Sequence, residues 1–336
     1  MSPAQGAENA APPLGLVGDV GGTNARFALA RRDSGGRMLI DQPVAYRAAD
    51  YASGDDAVLA YLSRLDLKAP PAFAVIAAAG PIEDGAVTFT NNTAWRFSEA
   101  GLAKAGGFSR ARLINDFTAQ VLAIDHFQDQ DLRRIGPAGP QPGRATAVIL
   151  GPGTGFGVGA RVDDGEARAI LTAEGGHSGF APGDETEVEI VRRLMARYGR
   201  VSVERILSGP GLLNLYQVLA DLRGEHPTCT APDQITRQAL AGEPLCRAAV
   251  ERFCAMLGSV AGDFALAYGA KGGVYISGGI APDIIDLLAA SDFRRRFEAK
   301  GRMSDYVIAI STWVVLEPFA ALVGAASLLG EWAEAT

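Results

Sequence analysis

Residues 16–30 read LVGDVGGTNARFALA: a short apolar run, a Gly-Gly-Thr turn and a second apolar run. Leu16 and Val17 predict a buried strand entering the turn, and Ala25, Phe27 and Leu29, alternating with Arg26, Ala28 and Ala30, predict a strand leaving it. Together they form a hairpin. Gly21 and Gly22 permit backbone angles and close approaches that a Cβ forbids, so their N–H groups can converge on an anion. Asp19 narrows the choice. A carboxylate repels a bound phosphate unless a divalent cation stands between them, so an acid just before the glycine pair points to a magnesium nucleotide rather than bare phosphate. The alternative is an ordinary glycine-rich hairpin with a solvated Asp19.

A similar unit occupies residues 147–160, AVILGPGTGFGVGA. With a shift of 132 residues Gly21 meets Gly153, Thr23 meets Gly155 and the flanking apolar runs coincide. Two such units are what two similar halves closing on one nucleotide from opposite sides would require. Gly155, Gly157 and Ala160 also satisfy GxGxxA, the dinucleotide fingerprint, but that pattern needs a helix to begin there. Val158, Ala160 and Val162 instead alternate toward an Asp163-Asp164-Gly165 turn, as a strand does. No GxxxxGK[ST] occurs, which excludes a Walker A site.

Between the two units, residues 55–65 place Ala57, Val58, Leu62 and Leu65 at helical spacing, and residues 73–79 form an apolar run ending at Gly80-Pro81. This predicts a helix crossing to a buried parallel strand. Residues 82–90, with an Asp84-Gly85 turn, predict a hairpin, and Ser98 a helix cap. Residues 112–115 predict a strand that stops at Asp116, followed by a helix with Phe117, Val121 and Ile124 on one face. Asp116 therefore sits where a strand meets a helix N-terminus, a usual place for binding groups in α/β folds. It is a candidate general base, and a helix cap is the alternative. Residues 128–144 predict a loop near a domain boundary. Later come helices over 185–198, 212–222 and 245–268, strands over 273–277 and 307–315, and a final helix over 319–329. Strands alternating with helices imply an α/β protein with largely parallel sheets.

Glu174 and His177 flank two glycines, which argues against a helical metal-ligand pair and suits hydrogen bonding to a polyhydroxylated ligand, since Glu accepts from hydroxyls and neutral His both donates and accepts. The bland alternative is a solvated glutamate and a packed histidine. The 336 residues, 48% hydrophobic and 21% charged, fit about two globular domains. The net charge of -7 and the lack of a long basic run argue against a nucleic-acid partner, and the triplet Arg294-Arg295-Arg296 is expected on a solvated helix face. Cys229, Cys246 and Cys254 include no CxxC pair, which argues for a reducing compartment and against structural zinc. The opening residues have neither the basic start nor the apolar core of a signal peptide, and no apolar run is long enough to span a bilayer. A cytoplasmic protein with no membrane partner is expected.

The ordered motifs GDVGGTNAR, LINDFTA, GPGTGFG, EGGH, ERILSGPG and GGVYISGG resemble the bacterial glucokinases, of the hexokinase, actin and Hsp70 ATPase superfamily. The resemblance spans nearly the whole chain and implies a two-domain ribonuclease H-like (actin-like ATPase) α/β fold with mixed sheets flanked by helices. It implies a tail over 1–13, a small domain over 14–125 plus 317–336, and a large domain over 126–316. It further implies phosphoryl transfer from ATP, with Mg2+, to the 6-hydroxyl of glucose, and a homodimer. Carried over, Gly18, Asp19, Val20, Gly21, Gly22 and Thr23 resemble the first phosphate loop, with Asp19 on Mg2+ directly or through water. Gly153, Thr154 and Gly155 resemble the second loop, and Gly278 and Gly279 the adenosine segment. Asp116 resembles the base, and Asn91, Asn115, Glu174, His177 and Glu204 the other glucose contacts. Two departures stand out: Pro152 replaces a potential N–H donor in the second loop, and Ser178-Gly179-Phe180 lacks the acid that relatives can carry before Phe. No cysteine adjoins His177, unlike in the related zinc-bearing sugar-kinase and repressor family. A kinase for mannose, fructose or an amino sugar, and a non-catalytic sugar-sensing regulator on the same fold, remain as alternatives.

Overall fold

The computed structural model describes residues 13–67, 69–89, 95–137 and 144–334. The expected tail, residue 13 aside, and Asn91 lie outside them. The chain divides into two compact units, Met1–Phe127 with Pro318–Thr336, and Gln128–Glu317.

The first unit is organised by a sheet of β1 (Gly15–Val20), β2 (Asn24–Arg32), β3 (Met38–Arg47), β4 (Phe73–Ala78) and β8 (Arg110–Asn115), in the order β3-β2-β1-β4-β8. The opening stretch forms the expected antiparallel hairpin β1–β2, and β1 runs parallel to β4, which runs parallel to β8. Alternation along the strands sends Leu16, Val20, Phe27 and Ile76 to one face, against Ala57, Val58 and Tyr61 of α1 (Gly54–Ser63). Val17, Ala28, Ala30 and Val75 go to the other, against Leu322, Ala325 and Leu329 of the C-terminal helix (Ala320–Glu334). A three-stranded sheet of β5 (Ile82–Glu83), β6 (Ala86–Thr88) and β7 (Arg96–Ser98) lies between β4 and α2 (Glu99–Gly106) in the chain. Ser98 caps α2 by accepting from the Gly101 N–H, and α3 (Asp116–Ala123) follows β8.

The second unit holds β9 (Leu132–Ile135), β10 (Ala147–Pro152), β11 (Phe156–Asp163), β12 (Arg168–Ala173), β13 (Val274–Ile276) and β14 (Thr312–Val315), in the order β12-β11-β10-β13-β14-β9. Its first five positions repeat the other sheet: an antiparallel hairpin whose leading strand runs parallel to a later strand, itself parallel to another. The core lies between this sheet and α4 (Glu185–Tyr198), α5 (Gly209–Arg223), α6 (Pro232–Leu240) and α7 (Pro244–Tyr268). Short helices α8 (Ile280–Asp283), α9 (Ile285–Ala290), α10 (Phe293–Glu298) and α11 (Ser304–Ile308) complete it. Asp184, Ser208 and Glu243 cap α4, α5 and α7. Among the described residues no helix is long and apolar enough to cross a membrane.

Five expectations need correction. The sheets are mixed rather than largely parallel: β1–β4, β4–β8, β10–β13 and β13–β14 run parallel, and the other pairs of described strands run antiparallel. The segment 128–144 is not all loop: Leu132–Ile135 forms the edge strand β9, antiparallel to β14, with Ile135 buried and Arg134 stacked on Trp313. The strand expected over 307–315 is confined to β14, because residues 304–308 form α11 and bury Val307 against the helical layer. The Arg triplet is not solvated as a whole. Arg296 is 7% exposed and donates to Glu187 and Ser259, and Arg294 donates to the carbonyls of Ile308 and Ile310, so these charges are partnered within the fold. Finally, Val20 pairs with Ala25 but Pro152 with Phe156, so the second turn is one residue shorter. The shift of 132 holds for β1, β10 and the start of the turn, then becomes 131, which places buried Ala25, Phe27 and Leu29 on buried Phe156, Val158 and Ala160.

Candidate active site

In the first unit the turn after β1 is tied down by its backbone. Gly21 N–H donates to the Asn24 carbonyl at 2.9 Å, Ala48 N–H to the Thr23 carbonyl at 2.8 Å, and Ala79 N–H to the Val20 carbonyl at 2.9 Å. The Val20 side chain is buried in the core, so only its backbone can face a ligand. Gly18 has a packing reason: a Cβ there would stand 2.5 Å from Ile76 Cδ1. Asp19 lies directly across the hairpin from Arg26, with Oδ2 at 3.9 Å from Nη1. Burial pushes the Asp19 carboxyl above its ordinary range, and Arg26 partly opposes this.

The sheet register brings Asn115 and Asp116 to the same edge. Val20 pairs with Ala78 and Ala78 with Asn115, so the turn and the β8–α3 junction both sit at the carboxyl end of parallel strands. Asn115 is the cap of α3: its Oδ1 accepts from Phe117 N–H at 2.9 Å and from Thr118 N–H at 3.4 Å. The capping role considered for Asp116 thus belongs to its neighbour. Asp116 is the first helical residue, with Oδ1 accepting from Phe117 N–H at 3.0 Å. Its charge suits the positive end of the helix dipole.

In the second unit the expected residues gather around the turn after β10. Gly153 N–H donates to the Gly155 carbonyl at 2.9 Å, and Gly209 N–H to the Gly153 carbonyl at 2.7 Å. Phe156 N–H donates to Glu204 Oε2 at 2.9 Å. The Glu174–His177 segment forms a single 3-10 turn whose Gly176 carbonyl accepts from Glu204 N–H at 2.9 Å. Both turn-end side chains are exposed, with His177 Nε2 at 3.8 Å from Glu174 Oε2, beyond hydrogen-bond range. Gly278, at a φ of +84°, approaches the second loop closely: a Cβ there would lie 2.5 Å from the Pro152 carbonyl oxygen. Gly153 and Gly279, by contrast, have nothing within 4 Å of an added Cβ. Nothing in the fold around those two positions demands glycine, whereas a ligand pressed against the backbone would.

A family model described as Glucokinase matches residues 16–331. The chain belongs to the glucokinase family. It is 54% identical over 313 residues to the glucokinase of Caulobacter sp. (strain K31), covering 93% of this chain and 94% of that one. The solved glucokinase of an Antarctic psychrotroph superposes with a TM-score of 0.84 at 36% identity, covering 94% of this chain and 98% of the other. A ROK family glucokinase from Streptomyces griseus, solved with glucose and AMPPNP, shares the fold at a TM-score of 0.63 and 19% identity, over 94% of this chain and 99% of its own. The glucokinase fold, a two-domain actin-like ATPase architecture, accounts for the repeated strand order of the two sheets.

Within this glucokinase-family site the sequence reading passes over two groups. Arg26 partners Asp19, and its place opposite an acid across a short hairpin is the signal that could have found it. The Phe156 amide, held by Glu204 from 48 residues away, leaves no sequence signal. Among the described residues no group of three or more His, Cys, Asp or Glu could hold a metal ion. A single carboxylate such as Asp19 still fits Mg2+, which is bound through one or two carboxylates plus substrate phosphates.

Proposed function

We propose that the protein transfers the γ-phosphoryl group of ATP to the 6-hydroxyl of glucose, with Asp116 as general base. Turns Gly21–Thr23 and Gly153–Gly155 donate to the phosphates through backbone N–H groups other than those of Gly21 and Gly153, which close the turns, and Gly278 and Gly279 admit the adenosine. Asp19 would hold Mg2+, directly or through water, and the ion would neutralise charge on the phosphate oxygens. Asn115, Glu174, His177 and Glu204 bind the sugar, as does Asn91, which lies outside the described residues. As the sugar oxygen bonds to the γ-phosphorus, its proton passes to an Asp116 carboxylate oxygen and ADP leaves. The hydroxyl is a poor nucleophile, and a carboxylate base of this kind is worth about 10² to 10⁴ in rate.

The observation that carries this reading is the division of labour at the head of α3. Asn115 Oδ1 takes the cap, which leaves its Nδ2 to donate to a sugar, and Asp116 stands beside it at the carboxyl edge that also carries the glycine turn. Water carries a hydroxyl too, so productive geometry must wait for the sugar's grip. Asp116→Asn is expected to bind glucose nearly as well as the parent while kcat falls at least about a hundredfold. A loss under about tenfold in an ADP-release assay would remove Asp116 from the role. Product identification by NMR after incubation with Mg-ATP and mixed hexoses tests glucose against mannose, fructose and amino sugars.

A further inference from the structure

Glu204 touches both halves of the second-unit site at once. Its backbone is fixed: its N–H donates to the Gly176 carbonyl at 2.9 Å, and its own carbonyl accepts from Ser208 Oγ at 2.8 Å. Its side chain reaches the other way, where Oε2 accepts the Phe156 N–H, the first amide beyond the Gly153–Gly155 turn. Gly155 makes room for this. A Cβ at that position would stand 2.6 Å from Glu204 Oε2, and Gly155 is not among the glycines with positive φ, so space rather than backbone angle calls for glycine. In the first hairpin the residue whose carbonyl closes the turn is Asn24, which carries a side chain; Gly155 does that work in the second.

We infer that Glu204 is a positioning residue that couples the sugar and nucleotide sites, holding the second phosphate loop with one carboxylate oxygen while the other accepts a glucose hydroxyl. The inference rests on the proposed reading of Glu204 as a glucose contact and of Gly153–Gly155 as a phosphate loop. A carboxylate accepts through both oxygens, so a sugar hydroxyl on Oε1 restrains the plane in which Oε2 holds the Phe156 amide. Sugar binding then stiffens the loop that meets the nucleotide. By linkage the nucleotide tightens sugar binding by the same factor.

The test is calorimetric titration of the full chain with Mg2+ and a non-hydrolysable ATP analogue, with and without saturating glucose. In the parent, glucose should tighten the analogue by at least about fivefold. Gly155→Ala displaces only the far end of the Glu204 side chain. Because that carboxylate is also the proposed glucose acceptor, glucose alone should bind more weakly than to the parent, while the coupling falls below about twofold. Glu204→Gln, of the same size but with one acceptor oxygen, should lose the coupling too. An uncoupled parent would overturn the inference while leaving the proposed reaction standing. So would a Gly155→Ala protein that weakens analogue binding equally with and without glucose, since loop damage alone acts uniformly. A parent that binds neither glucose nor the analogue overturns the reading of the site, and the inference with it.

Discussion

The β1–β2 and β10–β11 hairpins are the same device built twice, and they differ where chemistry would require it. Each leads with a six-residue strand that runs parallel to a later strand of its sheet, and each turn opens with a glycine whose N–H closes back on the turn. In the first, the cross-strand pair next to the turn's flanking pair is Asp19 with Arg26; in the second it is Gly151 with Gly157. A charged pair stands against a glycine pair. On the proposed reading, the backbone amides that meet phosphate are duplicated, whereas the carboxylate suited to a metal is carried once.

Asp19→Asn breaks that asymmetry and should have the largest effect. Loss of one charge near a divalent ion at a partly buried position is worth several kcal/mol, so the Mg2+ needed for half-maximal activity should rise about a hundredfold. A titration of activity against Mg2+ checks this, and an unchanged requirement would place the metal elsewhere. Next come the glycines. Gly18→Ala crowds Ile76 in the core and should cost about 1–3 kcal/mol of stability in denaturant unfolding. Gly153→Ala meets nothing in the fold and should leave stability within about 0.5 kcal/mol of the parent. Its KM for ATP should nevertheless rise about tenfold, the consequence of a methyl group placed against the ligand.

The smallest effect concerns stability and pH. Burial raises the Asp19 carboxyl in the folded protein above its unfolded value, so this group favours folding most at low pH and loses that contribution as pH rises through the folded value. Metal-free Asp19→Asn should therefore melt at or above the parent's temperature at pH 7, with the advantage shrinking as pH falls below the carboxylate range. A melting temperature below the parent's at pH 7 would mean that Arg26, not burial, dominates the site.

What the sequence disclosed follows the range of the forces involved. Hairpin turns and helix caps are local, so β1–β2, the Ser98 cap and the start of α4 at Glu185 were legible from a few residues each. The resemblance that names the site residues rests in the same way on short motifs and on their order along the chain. Long-range pairing was not. Strand β9 is four residues long and is held by β14, with Thr312 Oγ1 donating to the Ile135 carbonyl across 177 positions. Arg296 looked solvated because Glu187, which lets its charge be buried, is 109 residues away. The one-residue difference between the turns was hidden because both strands keep an alternating apolar pattern on either side of it.

Whether both turns meet one metal-bound nucleotide is tested by NMR of the amides in the two turns, with Mn2+ in place of Mg2+ and a non-hydrolysable ATP analogue. The analogue should shift Gly21–Thr23 and Gly153–Gly155 alike, and paramagnetic broadening should be strongest at Gly21–Thr23, beside Asp19. Nucleotide shifts confined to one turn, or broadening that is unchanged in Asp19→Asn, would contradict this.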